Sequence, residues 1–230
     1  MDRREKAARQ NRLALALTGT GGYLGKIVPT SGNRGPTSRH VRGSFFSEYV
    51  RMIRRQKNVD WGTDLLITDL DYLRKHVDEE EWYPMATFER MGVAILKHLQ
   101  GATLDAVRMW GRFSASAYAE RHPDLIEQNS PMESLMRLKV LRSTLFDFPA
   151  FDLPMLADGH AYVAVTYYMG PVAEEAACHQ TMGFCEGVLS LAGARNVRGD
   201  FMERAWQGAS RTLLDLQWDS PGQSIRPTAR

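Results

Sequence analysis

Disulfide cross-links are the first thing this chain lacks the means to build. It holds two cysteines, Cys178 and Cys185, in 230 residues, whereas a cross-linked scaffold uses several in a much shorter chain. On one helix the two would lie about 10 Å apart along the axis at roughly 1.5 Å per residue, too far for a bond that needs Cα atoms within roughly 7 Å. They read as reduced core thiols. Long apolar runs are missing as well: none reaches eighteen residues, which excludes a membrane-spanning helix. The stretch Leu13 to Leu17 behind a charged start is too short for a secretory segment, so a cytoplasmic location with no membrane partner is expected. Reactive constellations are also missing. There is no G-x-S-x-G elbow and no H-E-x-x-H. His40, His76, His98, His122, His160 and His179 are scattered without metal-ligand spacing. Asp78-Glu79-Glu80-Glu81 reads as a solvated charge run. The expectation is a non-enzymatic protein with no metal site, no cofactor and no catalytic residue.

What is present divides unevenly. Residues 1–42 hold nine basic and two acidic side chains, and the rest of the chain is mildly acidic. This arm is rich in Gly and Pro, a composition that resists regular structure. Thr18-Gly19-Thr20-Gly21-Gly22-Tyr23-Leu24-Gly25 matches a dinucleotide-binding fingerprint by its letters. That chemistry requires a helix opening at the glycines to hold the pyrophosphate. Pro29 and the Ser31-to-Pro36 stretch leave no room for one, so chance in a glycine-rich segment is the preferred reading. The division expected is a flexible basic arm over residues 1–42, one α+β domain over 43–218 and a polar tail over 219–230. The basic residues Arg3, Arg4, Lys6, Arg9, Arg12, Lys26, Arg34, Arg39 and Arg42 form either a solvated tail or a clamp on nucleic acid or an acidic partner.

The body starts with helices and ends with strands. Phe45, Tyr49, Met52 and Ile53 supply a short stripe, and Leu65 to Val77 a weaker one. Phe88, Met91, Ile95 and Leu99 recur at spacings of three and four, with Gly101 placed to stop the helix. Thr103 to Arg121 carries Ala106, Trp110, Phe113 and Ala117 on one face. Ser130-Pro131-Met132-Glu133 predicts a capping box with proline at the first helical position. The period then changes to two. Phe151 to Met155 predicts an edge strand, because Pro154 cannot donate to a ladder. Asp158-Gly159 predicts a hairpin turn and Tyr162 to Tyr168 the next strand. Val172 to Ala192 predicts a long helix with Glu175, His179, Glu186 and Ser190 outward. Val197 to Trp206 and Thr212 to Trp218 close as a hairpin. Four antiparallel strands with helices gathered on one side, one long helix inserted among them, is α+β.

The aromatic and small-residue cluster Trp82, Tyr83, Trp110, Gly111, Arg112 and Phe113 admits two readings. The rings fill core between helices, or Trp82, Tyr83, Trp110, Arg112 and Phe113 line a mostly apolar ligand pocket. Trp82-Tyr83-Pro84, Trp110-Gly111-Arg112-Phe113-Ser114, Gly183-Phe184-Cys185-Glu186-Gly187-Val188-Leu189 and the closing Leu216-Gln217-Trp218 together resemble an uncharacterised myxobacterial paralogous family. That family is related to the haem-nitric-oxide-binding and 4-vinyl-reductase domains. The resemblance covers about Val41 to Trp218 and implies helices packed on an antiparallel sheet in a sensory or scaffolding module. Haem binders of that superfamily carry Tyr-x-Ser-x-Arg, and none of the eight tyrosines here starts one. Some relatives place metal-binding cysteines in the last hairpin, and Phe201 to Thr212 has none. The function expected is a regulatory or protein-interaction module with a small apolar ligand, an unknown protein partner and the option of a homodimer.

Overall fold

Val41 decides where the folded body starts. The computed structural model describes residues 38–98 and 103–221. His40–Arg42 forms strand β1, antiparallel to β2 (Trp82–Pro84) with Val41 opposite Tyr83. Val41 is fully buried and also bridges to Phe146. A boundary drawn by Gly and Pro content at residue 42 therefore assigns three strand residues to the arm. The glycine-rich segment, most of the basic arm, Leu99, Gly101 and the tail beyond residue 221 lie outside the described residues.

Six helices follow the apolar stripes: α1 (Gly43–Arg55), α2 (Ile67–Tyr72), α3 (Met85–His98), α4 (Leu104–Arg121), α5 (Pro131–Leu145) and α6 (Pro171–Leu191). On α1 the buried residues Phe46, Val50 and Ile53 recur at helical spacing. The weak stripe after Leu65 yields only the six residues of α2, with Ile67 80% exposed. Its anchor is polar instead. Asp69 is fully buried, receives Arg90 through two bonds of 2.7 Å and Thr87 at 2.8 Å, and accepts the Leu66 amide at 3.0 Å. Thr103 caps α4 by accepting the Ala106 amide at 3.2 Å. The capping box expected at Ser130 does not form. Proline sits at the start of α5 as expected, but the Ser130 side chain caps nothing and Glu133 pairs with Arg137.

The four-stranded sheet has the order β3-β4-β6-β5, all antiparallel, from β3 (Phe151–Ala157), β4 (His160–Val165), β5 (Arg195–Glu203) and β6 (Thr212–Asp219). Pro154 lies on the edge strand β3, inside the irregular step between Asp152 and Met155 where no ladder donor is needed. Asp158-Gly159 makes the two-residue turn, with Ala157 paired to His160 and Gly159 at φ +80°. Ala161, Val163, Val165, Leu214, Leu216 and Trp218 present one buried face.

Helix α6 is buried on more sides than its sequence period suggests. Glu186, expected outward, is 2% exposed, because α4 covers the side of α6 that a single sheet-facing stripe would leave to solvent. Small residues make this possible. A Cβ on Gly183 would lie 2.8 Å from the Arg108 carbonyl carbon. One on Gly187 would lie 2.7 Å from the Ala115 Cβ and 2.8 Å from the Arg112 carbonyl oxygen, and one on Gly111 2.9 Å from the Phe184 nitrogen. Real Cβ atoms do not occupy such positions, so α4 and α6 meet backbone to backbone. In a free helix Gly→Ala gains up to about 1 kcal/mol. Here the added methyl must push α4 away from α6, and overpacking of that kind costs about 1–3 kcal/mol or more. Gly183→Ala is therefore expected to lower the urea midpoint of unfolding, and an unchanged or raised midpoint would contradict the packing described.

Candidate ligand site

The five aromatic-cluster residues do not surround one space. Tyr83 stacks on Phe46 at 4.5 Å between ring centres, and its hydroxyl accepts the Asp78 amide at 3.0 Å. Trp82 is 38% exposed with the Arg42 guanidinium 4.1 Å above its ring. On α4, Trp110 lies against Tyr49 at 6.1 Å, Arg112 turns to Glu186 and Phe113 faces solvent. Near-adjacent helical residues point in different directions, which sequence proximity hides. Of the basic residues, Arg39 donates to the Tyr167 carbonyl oxygen and sits over Phe148 and Tyr168. Arg42 also donates to the Glu80 carbonyl oxygen at 2.6 Å. Arg3, Arg4, Lys6, Arg9, Arg12, Lys26 and Arg34 lie outside the described residues.

Rings do converge elsewhere, where α1 and α3 meet α5 and α6. Phe45 and Tyr49 from α1, Phe88 from α3, Phe146 and Tyr167 from the segments flanking the sheet, and Phe184 from α6 line a cleft with Arg142, Met169, Ala177, Gln180 and Thr181. Tyr49 and Phe88 stack at 4.2 Å. The open volume is about 20 Å³, room for roughly one water molecule.

The polar groups of this cleft are deeply buried. Arg142 is 5% exposed and donates to the Tyr167 hydroxyl and, at 3.2 Å, to the Thr181 hydroxyl. Tyr167 and Thr181 share a hydrogen bond of 2.7 Å, and Tyr49 donates to Gln180 at 3.3 Å. Burial pushes the Tyr167 phenol up to about 12 and raises Tyr49 further, so both stay protonated donors. Behind them Glu174 accepts the Tyr167 and Met169 amides at 3.1 and 2.9 Å. Burial raises its pKa. Cys178 donates to Thr212 at 3.4 Å. Burial raises that thiol and pushes Cys185 up to about 12, leaving neither as a nucleophile at neutral pH.

A second buried carboxylate ties α4 to α6. Glu186 accepts Arg108 through two bonds and Arg112 at 2.6 Å, and Arg108 also donates to the Gly199 carbonyl oxygen at 2.8 Å. None of Arg142, Tyr167, Glu174 and Glu186 was singled out from sequence. Their one visible signal was a charged or hydroxyl-bearing side chain set among apolar or glycine neighbours, as in Phe184-Cys185-Glu186-Gly187.

Helices packed on a four-stranded antiparallel sheet make an α+β domain whose fold is like that of H-NOX proteins. The chain superposes on an H-NOX protein from Shewanella oneidensis in its Fe(II)NO state with TM-score 0.53 at 14% identity, over 78% of this chain and 99% of that one. A point mutant of the K. algicida H-NOX protein, in its unliganded Fe(II) state, gives 0.53 at 9%, over 78% and 97%. A point mutant of T. tengcongensis H-NOX gives 0.50 at 13%, over 79% and 100%. At such identities the likeness is one of fold. No protein-family model matches the sequence, and no curated protein matches it.

The S. oneidensis and K. algicida relatives hold Fe(II), which poses a question of fit. Cofactor pockets enclose roughly 300–1,000 Å³, and a haem iron takes a His, Cys, Met or Tyr ligand. This cleft offers about 20 Å³, far too little for a macrocycle. Its wall has no histidine or cysteine, and of the other ligand types it holds Met169 and two tyrosines, Tyr49 bonded to Gln180 and Tyr167 bonded to Arg142 and Thr181. Among the described residues no three His, Cys, Asp or Glu side chains could hold a metal ion. The residues present do not fit an iron-bearing macrocycle.

The carboxylates make stability pH-dependent. Burial by itself would raise Glu186 and Asp69, but the arginines and hydroxyl bonded to them outweigh it and hold both below the ordinary carboxylate range. Asp64, bonded to Lys97, His98 and Thr63, is likewise brought down against its own desolvation, to about 2. A depressed native pKa contributes stability above the unfolded-state value, about 4, and loses it as pH falls through the native value. Glu174 acts with the opposite sign, because its raised pKa favours the folded state in acid. Glu186→Gln is expected to cost about 3 kcal/mol at pH 7, the low end for breaking a buried pair because both guanidiniums reach solvent. At pH 3 the difference from wild type should shrink. Urea titrations at both pH values check this, and a pH-independent difference would contradict it.

Proposed function

We propose that this chain is a non-enzymatic regulatory module on an H-NOX-like scaffold, with a small, largely apolar ligand received in the ring-lined cleft between α1, α3 and α6. The observation that carries this reading is the convergence of Phe45, Tyr49, Phe88, Phe146 and Phe184 on a gap where separate helices meet. Apolar walls with a few convergent polar groups are the usual make-up of a small-molecule site. A ligand wedged there acts on the spacing of α1 and α3 against α6, and so on the surface that a partner reads. The sensory role of H-NOX proteins supports the reading by analogy of fold. A narrower kinship with the uncharacterised myxobacterial paralogous family rests on the residue resemblance and belongs to the same proposal.

Trp110 lies against Tyr49 on the cleft wall, so its emission reports occupancy. Titrating the protein with benzene should change tryptophan emission saturably, and Trp110→Phe should remove most of the change. Phe184→Ala, which enlarges the cleft, should tighten benzene binding while lowering stability by a few kcal/mol, about 3–5 for a well-packed ring. Absence of a saturable response in wild type and in Phe184→Ala together would overturn the ligand-site reading.

A further inference from the structure

Arg142 has no counter-charge. Its side chain is 5% exposed, yet no carboxylate among the described residues pairs with it, and its Nε has no hydrogen-bond partner. The terminal nitrogen that is satisfied uses two neutral hydroxyls, Tyr167 and Thr181. Around the guanidinium stand the rings of Phe146 at 5.2 Å, Phe45 at 5.5 Å, Phe151 at 5.6 Å and Tyr167 at 5.8 Å. Ring faces offset some of the desolvation of a cation, but a buried charge without a partner still costs several kcal/mol. Of the other deeply buried charged side chains among the described residues, Asp69 and Glu186 are paired with arginine, and Glu174 is held by the Tyr167 and Met169 amides. Arg142 is the one buried cation of the set, and it lines the one-water-sized gap described above.

We propose that this gap is an anion site, in which Arg142 holds a small monovalent oxyanion of carboxylate geometry, formate being the smallest. Resting on the regulatory reading, this names the head group of its ligand. Two features fit. The free Nε–H is a donor in want of an acceptor. The Tyr167 and Thr181 hydroxyls accept from the same terminal nitrogen and fix the plane of the guanidinium, which leaves the Nε–H to donate to one oxygen of the anion. The gap as it stands has room for about one heavy atom, so formate would seat one oxygen at the Nε–H and move the flanking rings apart. A longer ligand would place its body among Phe45, Tyr49 and Phe184.

The proposal is tested on the full chain by following thermal unfolding while sodium formate replaces sodium chloride at constant ionic strength. A ligand that binds only the native state stabilises it by RT ln(1 + [L]/Kd), so the midpoint should rise by several degrees and saturate. Sulfate, larger and doubly charged, should show no saturable rise. Arg142→Gln should abolish the formate effect. Where that variant does not fold, Ala177→Leu serves in its place: it fills the gap from α6, leaves Arg142 intact, and should also abolish the effect. A formate effect that survives in Ala177→Leu, or a rise equal in sulfate and formate, would overturn the anion site. No formate effect with benzene still bound would overturn the anion site while the ligand-site reading stands. Neither ligand bound would overturn both.

Discussion

The approach of α4 to α6 sets the distance at which everything else is built. Gly183 and Gly187 let the α4 backbone at Arg108 and Arg112 come into direct contact with α6, and Gly111 and Ala115 keep the opposing surface equally low. Only at that distance does Glu186, on a helix otherwise committed to the sheet, sit within reach of both arginines. Arg108 then spans on to the Gly199 carbonyl of β5, so one buried carboxylate joins two helices and the sheet. Dispersion between close backbones and the ion pair reinforce each other, because the low-dielectric contact strengthens the electrostatics that the close approach allows. A side chain larger than hydrogen at Gly183 would remove both together.

With α6 fixed between the sheet and α4, its remaining side faces α1, α3 and α5. That side carries Ala177, Gln180, Thr181 and Phe184, a mixture of small, polar and aromatic groups. The helices opposite contribute rings, and the junction closes except for a gap beside Arg142. The close backbone packing and the ring-lined cleft therefore occupy different sides of one helix. The glycine side is packed without slack, and the ring side keeps a polar group that the fold itself does not satisfy.

Much of the fold could be read from residues. The order of the four strands along the chain, the Asp158-Gly159 turn and the edge position of Pro154 each follow from local rules and stand as expected. The strand read to Tyr168 ends at Val165, and the one read to Trp206 ends at Glu203, before the turn at Ala205–Gln207. A boundary at residue 42 cuts through β1, because Val41 gains its burial from β2 and Phe146, which are distant in sequence. The capping box at Ser130 failed on its glutamate side because Glu133 pairs with Arg137 four residues on, a bond within the helix that competes with reaching back to the cap. Glu186 was read outward because a hydrophobic period registers one neighbour, not two. The ring-lined cleft was the least legible feature. Arg112 and Trp110 were named for standing beside each other, whereas the cleft is assembled from α1, α3, α5, α6 and a segment after β4, and only tertiary structure gathers those rings.

Native-state hydrogen exchange tests the dependence on the α4–α6 contact most directly. Amides of Gly183 to Val188 and of Gly111 to Ala115 should exchange slowest in the chain, with a shared free energy of opening equal to that of global unfolding. If α4 instead opens at much lower free energy while α6 and the sheet stay protected, the glycine contact is a peripheral docking and not the constraint on which the domain is built.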